Sequence, residues 1–259
     1  MKYCFGTVSW SGYLERYIDI FVDNYIRLFK ELIRVGINYV DIADPVVVYA
    51  NDIEGFTTEE QVQKLYNVTG KKLVLVNDKH KYNQENIMYS TRNRLRAKVG
   101  SMYPDEKKVF WYFPIDDAIK QEDAVKELVK LGKSNKKSAC MFKFYVNQGG
   151  NNFFAGTTPI NSYKDIHPGD WGGYCAYTIL KEEDCPLYPE IAIPNVAFYV
   201  ALYEAGYKQY ASEKVCVEHL RHLDSHHFKT KDKPMSQKVS DYLLKKRAEL
   251  AKKEGEGSK

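Results

Sequence analysis

The residues best suited to chemistry stand in one phrase, Phe110-Trp111-Tyr112-Phe113-Pro114-Ile115-Asp116-Asp117. An apolar, aromatic run stops at proline, and two adjacent carboxylates follow. Adjacent carboxylates repel unless water or a cation neutralises them. Hard oxygen donors suit Mg2+ or Mn2+, which keep part of their coordination shell for phosphate oxygens. An Asp pair is equally good as a solvated cap for the next helix, and this stretch alone leaves both readings open. Much later, Gly206-Tyr207-Lys208 precedes Val215-Cys216-Val217-Glu218-His219. A lone His at a strand end is more often structural than a ligand, but paired in space with Asp116 it would complete a divalent site. Arg92-Asn93 lies upstream, inside residues 71–108, which hold 10 Lys/Arg against 4 Asp/Glu. Such a helix either compensates a diphosphate or simply faces solvent. The stretch from His219 to His227 sets His219/His222 and His222/His226 at helix-face spacing. Imidazoles bind zinc, yet the sequence sets no cysteine or carboxylate partner well beside them.

These groups need a scaffold. Residues 3–9 are apolar and β-prone, and Ser11-Gly12 ends the run. Residues 19–35 carry Phe21, Val22, Tyr25, Ile26, Phe29, Leu32 and Ile33 on one helical face, with Gly36 where a C-cap belongs. A buried-type strand follows over 45–49, and Thr57 and Glu60 stand at capping-box spacing for a short helix. Strands are expected over 72–76, 109–113 and 139–146, and helices over 85–99 and 124–131. This alternation predicts an α/β fold with a mostly parallel sheet covered on both faces. Ligands in such sheets bind beyond the carboxyl ends of the strands, where Asp116 falls. Residues 147–170 are rich in turn residues and read as a long irregular loop. A helix over 195–206 and a short last strand within 207–217 complete the body.

Composition bounds the function. The chain has 259 residues and a net charge of +4. From Lys229 onward there are 10 Lys/Arg and 5 Asp/Glu, which leaves 28 against 29 in the rest. A near-neutral body, residues 1–228, thus precedes a basic, partly helical tail, residues 229–259, and this argues against a protein that coats nucleic acid along its whole surface. Five cysteines, Cys4, Cys140, Cys175, Cys185 and Cys216, form no C-x-x-C pair, so reduced thiols are expected rather than a disulfide framework. The first residues, Met1-Lys2-Tyr3-Cys4, do not read as a signal peptide, so none is expected, and no apolar run nears the roughly 18 residues of a membrane span. The expectation is a cytoplasmic protein. Tyr supplies 21 of the aromatic residues against 12 Phe and 3 Trp. It offers an apolar face and a hydroxyl to carbohydrate or nucleobase sites and to ordinary cores alike.

Taken in order, Arg92-Asn93, Pro114-Ile115-Asp116-Asp117, Trp171-Gly172-Gly173-Tyr174, Pro194-Asn195, Gly206-Tyr207-Lys208 and His219 resemble the motif series of GT-A fold nucleotide-sugar glycosyltransferases of the family 2 type. The resemblance runs over about residues 2–221. It implies a Rossmann-like GT-A sheet with an irregular acceptor-side half, and transfer of a sugar from a nucleotide-sugar donor to an acceptor hydroxyl. It implies that Asp116, with Asp117 beside it, holds Mn2+ or Mg2+, and that His219 is a further metal or diphosphate ligand. Thr7 and Asp52 would meet the nucleobase, Arg92 the base or diphosphate, with Asn93 beside it. Trp171, Gly172 and Gly173 would border the sugar and acceptor, where small residues permit close backbone approach.

Two positions depart from the pattern. Pro114 stands where the family carries the first Asp of its Asp-x-Asp motif. Asn195 stands where inverting members carry their general base, and an amide does not take up a proton in that role. Glu190 is the nearest alternative carboxylate; a retaining transferase would need no such base; an inactive chain is the third outcome. The basic tail leaves nucleic acid with a hydroxylated base as one acceptor class. A non-catalytic nucleotide- or nucleic-acid-binding module on a degenerate transferase fold is the competing reading.

Overall fold

The computed structural model describes residues 1–10, 13–50, 58–78, 87–112, 117–119, 121–148, 151–155, 158–168, 174–191, 194–219 and 234–256. Its strands are β1 (Lys2–Trp10), β2 (Val46–Ala50), β3 (Val74–Asn77), β4 (Lys108–Tyr112), β5 (Asp117–Ile119), β6 (Ser138–Gln148), β7 (Asn151–Ala155), β8 (Tyr174–Ile179) and β9 (Lys208–His219). Its α-helices are α1 (Tyr13–Arg34), α2 (Glu59–Thr69), α3 (Ile87–Met102), α4 (Gln121–Lys133), α5 (Pro194–Glu204) and α6 (Pro234–Glu256). The strands form one sheet in the order β3-β2-β1-β4-β8-β6-β9-β5, with β7 added to β6. Strands β1, β2, β3 and β4 are mutually parallel. Strand β8 runs against both β4 and β6, and β9 is parallel to β6, so β6 and β9 share the direction of the first four. Strands β5, β7 and β8 run the other way. The α/β, mostly parallel sheet expected from the sequence is the architecture observed.

Residue alternation along the strands builds a core on each face. Tyr3 and Phe5 of β1, Trp111 of β4 and Phe142 of β6 pack with α1, α2 and α4. Cys4 and Val8, Phe110 and Tyr112, and Met141 pack on the opposite face with α3, α5 and α6. Gly6 has a specific task on that second face. A Cβ there would lie 2.5 Å from Leu95 Cδ1 and 2.9 Å from the Val46 carbonyl oxygen, so its absence lets α3 close on the sheet. Helix α1 starts earlier than expected, because Leu14, Tyr17 and Ile18 extend its apolar stripe. It ends in a Schellman turn at Gly36, φ +88°, with Gly36 N–H donating to Ile33 and Ile37 N–H to Leu32.

Four expectations change. Thr57 lies outside the described residues, and α2 is capped by Thr58 without a side-chain hydrogen bond. The loop expected over 147–170 opens with β7, which forms a hairpin with β6. The last strand is long, twelve residues in β9. Strand β8, not expected at all, bridges the two parallel groups. Its short, continuously buried run carries no alternation from which to read a strand.

The basic C-terminal segment contains α6, which docks through Val239, Leu243 and Leu250 on the face of α5. Lys246 pairs with Glu204 at 3.0 Å, and Tyr203 donates to Glu254 at 2.5 Å. Each buried aliphatic side chain is worth about 1.5–3 kcal/mol as an upper bound. Deleting residues 234–259 is therefore expected to lower the melting midpoint by about 10 °C. A thermal melt unchanged by the deletion would contradict that docking. Cys4, Cys140, Cys175 and Cys185 are free and buried. Among the described residues no helix is long and apolar enough to cross a membrane.

Candidate active site

The shared strand direction brings Trp10, Ala50, Asn77, Tyr112 and His219 to one edge, the carboxyl edge of the parallel strands. Strand β5 starts at that same edge. Its antiparallel register sets Asp117 opposite His219 and Ala118 opposite Glu218, while β6 sets Val146 beside His219. The register thus makes Asp117 and His219 ladder partners although 102 positions separate them. Asp116 immediately precedes this pair but lies outside the described residues, as do Asp52, Trp171, Gly172, Gly173 and the histidines beyond His219. Among the described residues no group of three or more metal-binding side chains is assembled. The donor types nonetheless fit a divalent cation. Aspartate and histidine are residue types that Mn2+ accepts as ligands.

Arg92 is the central buried charge of the edge, 3% exposed. Helix α3 delivers it between aromatic rings. Its guanidinium carbon stands 4.4 Å from the centre of the Tyr112 ring and 5.4 Å from that of Tyr188. Its Nη1 donates to Asn195 Oδ1 on the first turn of α5, and its Nε has no hydrogen-bond partner among the described residues. Burial works against the charge, but the surrounding tyrosine oxygens hold its pKa above the ordinary value. Beside it lies a cavity of about 10 Å3, lined by Tyr112, Tyr174, Cys175, Tyr188, Asn195 and the α5 side chains Phe198 and Tyr199. That volume seats a single water-sized atom. Tyr188 stacks on Phe198 with ring centres 3.9 Å apart, closing one side. Burial pushes the Cys175 and Cys185 thiols up. They stay protonated and offer no thiolate nucleophile.

The arginines of the basic helix all have partners within the protein, although Arg94 is also exposed to solvent. Arg94 binds the buried Asp78 at 2.5 Å. Arg96 donates to the carbonyls of Cys185 and Pro186. Asn93 exchanges two hydrogen bonds with the Tyr188 backbone, at 3.0 and 2.8 Å. Arg96 and Asn93 thus fasten the segment leading into α5. Thr7 is fully buried, on the face of β1 that carries Phe5, and its hydroxyl has no partner among the described residues. Ser9, two residues on, is in the same condition. Glu190 is exposed in the segment before α5. Sequence reasoning missed Tyr112, Tyr174 and Tyr188. Their abundance as a type was the only signal, because the three arrive from β4, β8 and a loop.

No protein-family model matches this sequence, and no curated protein does. Solved structures do match in shape. TarS residues 1–349 from S. aureus in complex with UDP superposes with a TM-score of 0.53 at 16% identity, over 84% of this chain and 60% of that one. A longer TarS structure gives 0.52 at 15% identity, over 84% and 36%. The mannosyltransferase PcManGT from Pyrobaculum calidifontis, in complex with GDP-Man and Mn2+, gives 0.52 at 14% identity, over 86% and 58%. The chain therefore spans about three fifths of the length of the shorter of these proteins. Parallel strands β1 to β4, a mixed second half and a polar carboxyl edge are features of one fold, and the protein has the fold of the GT-A glycosyltransferases.

Proposed function

We propose that the protein is a divalent-metal-dependent glycosyltransferase that moves a sugar from a nucleotide-sugar donor to an acceptor hydroxyl. The observation that carries this reading is the β5–β9 register, which sets Asp117 opposite His219 at the ligand edge of a transferase fold. Two structures of that fold hold UDP, or GDP-Man with Mn2+. Asp116, Asp117 and His219 are the residues to hold the metal, which when bound would neutralise charge on the departing diphosphate as a Lewis acid. Thr7, Asp52, Arg92, Asn93, Trp171, Gly172 and Gly173 are the donor-side set. For Thr7 and Asn93, burial and backbone pairing favour a supporting position behind the ligand.

In the transfer, an acceptor oxygen forms a bond to the anomeric carbon. The bond from that carbon to the diphosphate breaks, and the electron pair leaves with the nucleoside diphosphate. The acceptor proton passes to a base, for which exposed Glu190 is the nearest carboxylate by sequence. Nucleic acid with a hydroxylated base is one acceptor class, suggested by the basic C-terminal segment. The buried free cysteines agree with a cytoplasmic setting.

A non-catalytic binding module is the second reading. It is favoured by Asn195, whose amide oxygen is occupied by Arg92 where inverting relatives would need a carboxylate. A panel of sugar nucleotides with and without Mn2+ separates the two readings. Donor hydrolysis and a raised melting point that both require Mn2+ support the transferase. Metal-independent stabilisation without turnover supports the module, and neither response with any donor rejects a nucleotide-sugar site.

A further inference from the structure

The Arg92–Asn195 contact fixes more than the position of a helix. Guanidinium has five donors and no acceptor. Its partner must therefore present an acceptor, which settles the orientation of the Asn195 amide: Oδ1 faces Arg92. The Nδ2 group is left with two N–H donors. It donates to none of the described residues, and Asn195 lines the small aromatic cavity. The other walls are Tyr112, Tyr174, Cys175, Tyr188, Phe198 and Tyr199, and the volume admits one oxygen-sized atom. A position that would hold a proton acceptor in an inverting relative holds a fixed hydrogen-bond donor here.

We propose that Asn195, clamped by Arg92, is a substrate-binding donor whose Nδ2 holds one lone-pair oxygen of the sugar or acceptor, and that position 195 takes no part as a base. Arg92 is then a positioning residue that acts through Asn195. This rests on the transferase reading for the identity of the ligand, but the clamp itself does not. The chemistry selected is an oxygen offering lone pairs, such as a hydroxyl or a phosphate oxygen.

Asn195→Asp separates the two functions of the amide, since it is isosteric. It keeps and strengthens the acceptor toward Arg92, as a charge-assisted bond, and it replaces the outward donors with an acceptor. Asn195→Ala removes both. In the full chain, Asn195→Asp is expected to raise the melting midpoint by about 2–4 °C at pH 7, whereas Asn195→Ala lowers it. A carboxylate beside buried Arg92 has a folded pKa below its unfolded value of about 3.9. The gain is therefore present above that value and lost as pH falls through the folded pKa. Mn2+-dependent donor turnover is expected to fall by about 10- to 100-fold in both variants, the scale of one lost substrate hydrogen bond.

Asn195→Asp turnover at or above that of the unaltered chain overturns the proposal, and a new acidic limb in its pH profile would identify a restored base. An Asn195→Asp melting point equal to or below the parent overturns the clamp. Absence of turnover in the unaltered chain with every donor overturns the transferase reading and the substrate contact with it. The melting shift is read independently of activity and still decides the clamp.

Discussion

Asp116→Ala is expected to abolish Mn2+-dependent turnover of the sugar nucleotide and to leave the melting curve close to that of the parent. Asp116 sits between the end of β4 and the first residue of β5. Its neighbour Asp117 is opposite His219 in the ladder. Two carboxylates in sequence at a sheet edge are held together against their own repulsion by a cation or by water, and a Lewis acid at this point contributes several kcal/mol to departure of a diphosphate. The expected loss is about 100-fold or more. His219→Ala is expected to lose less, because an imidazole is one ligand among several. If both residues hold one ion, the double variant falls no further than Asp116→Ala alone, since effects on a shared group do not add. Turnover by Asp116→Ala at the parent rate, or equal activity with chelator and with Mn2+, would remove the metal assignment.

Much of this edge is legible in the sequence because its rules are local. An apolar run closed by proline and followed by Asp116-Asp117 marks a strand end, and ligands of parallel sheets lie beyond strand ends. Most of helix α1 is legible because its buried residues recur at helical spacing, from Phe21 to Leu32. What surrounds Arg92 is not legible. Tyr112, Tyr174, Tyr188 and Asn195 come from four separate parts of the chain, and no spacing rule links them. Their meeting depends on β8, which joins β4 to β6, and β8 gives no periodic signal. Strand β5 is three residues long, below the reach of any pattern, yet its register alone makes Asp117 and His219 neighbours.

Charge shows the same limit. The excess of arginine and lysine around α3 reads as a surface for a diphosphate or for solvent. In the structure most of its arginine contacts end inside the protein, on Asp78, on the carbonyls before α5 and on Asn195. A partly buried guanidinium that binds main-chain carbonyls costs less than one left unpaired, so Arg96, together with Asn93, orders the loop ahead of α5 before any ligand arrives. Net charge could not distinguish a cation facing water from one fastening a loop; the partner of each side chain does.

The largest loss of stability is expected from Trp111→Ala. Trp111 is fully buried on β4, with ring centres 4.9 Å from Phe142 and 6.4 Å from Phe5, both edge-on. Such edge-to-face pairs add to the burial of the ring itself. Removing the indole from a close-packed sheet face costs about 3–5 kcal/mol, part transfer and part cavity. This is a large share of the roughly 5–15 kcal/mol that holds a domain folded. The melting midpoint is expected to fall by about 10 °C, and Trp111→Phe by much less, because a smaller ring still spans the gap between Phe5 and Phe142. The consequence reaches the site, since Trp111 is the last strand residue before Tyr112, whose ring lies under Arg92. A cavity behind β4 frees the strand end from which Asp116 is carried. Turnover measured well below the lowered melting point should therefore fall in Trp111→Ala even where circular dichroism shows the chain folded. A melting change under about 2 °C would show that the α1–α4 face collapses around the missing ring, and would detach the geometry of the edge from the packing behind it.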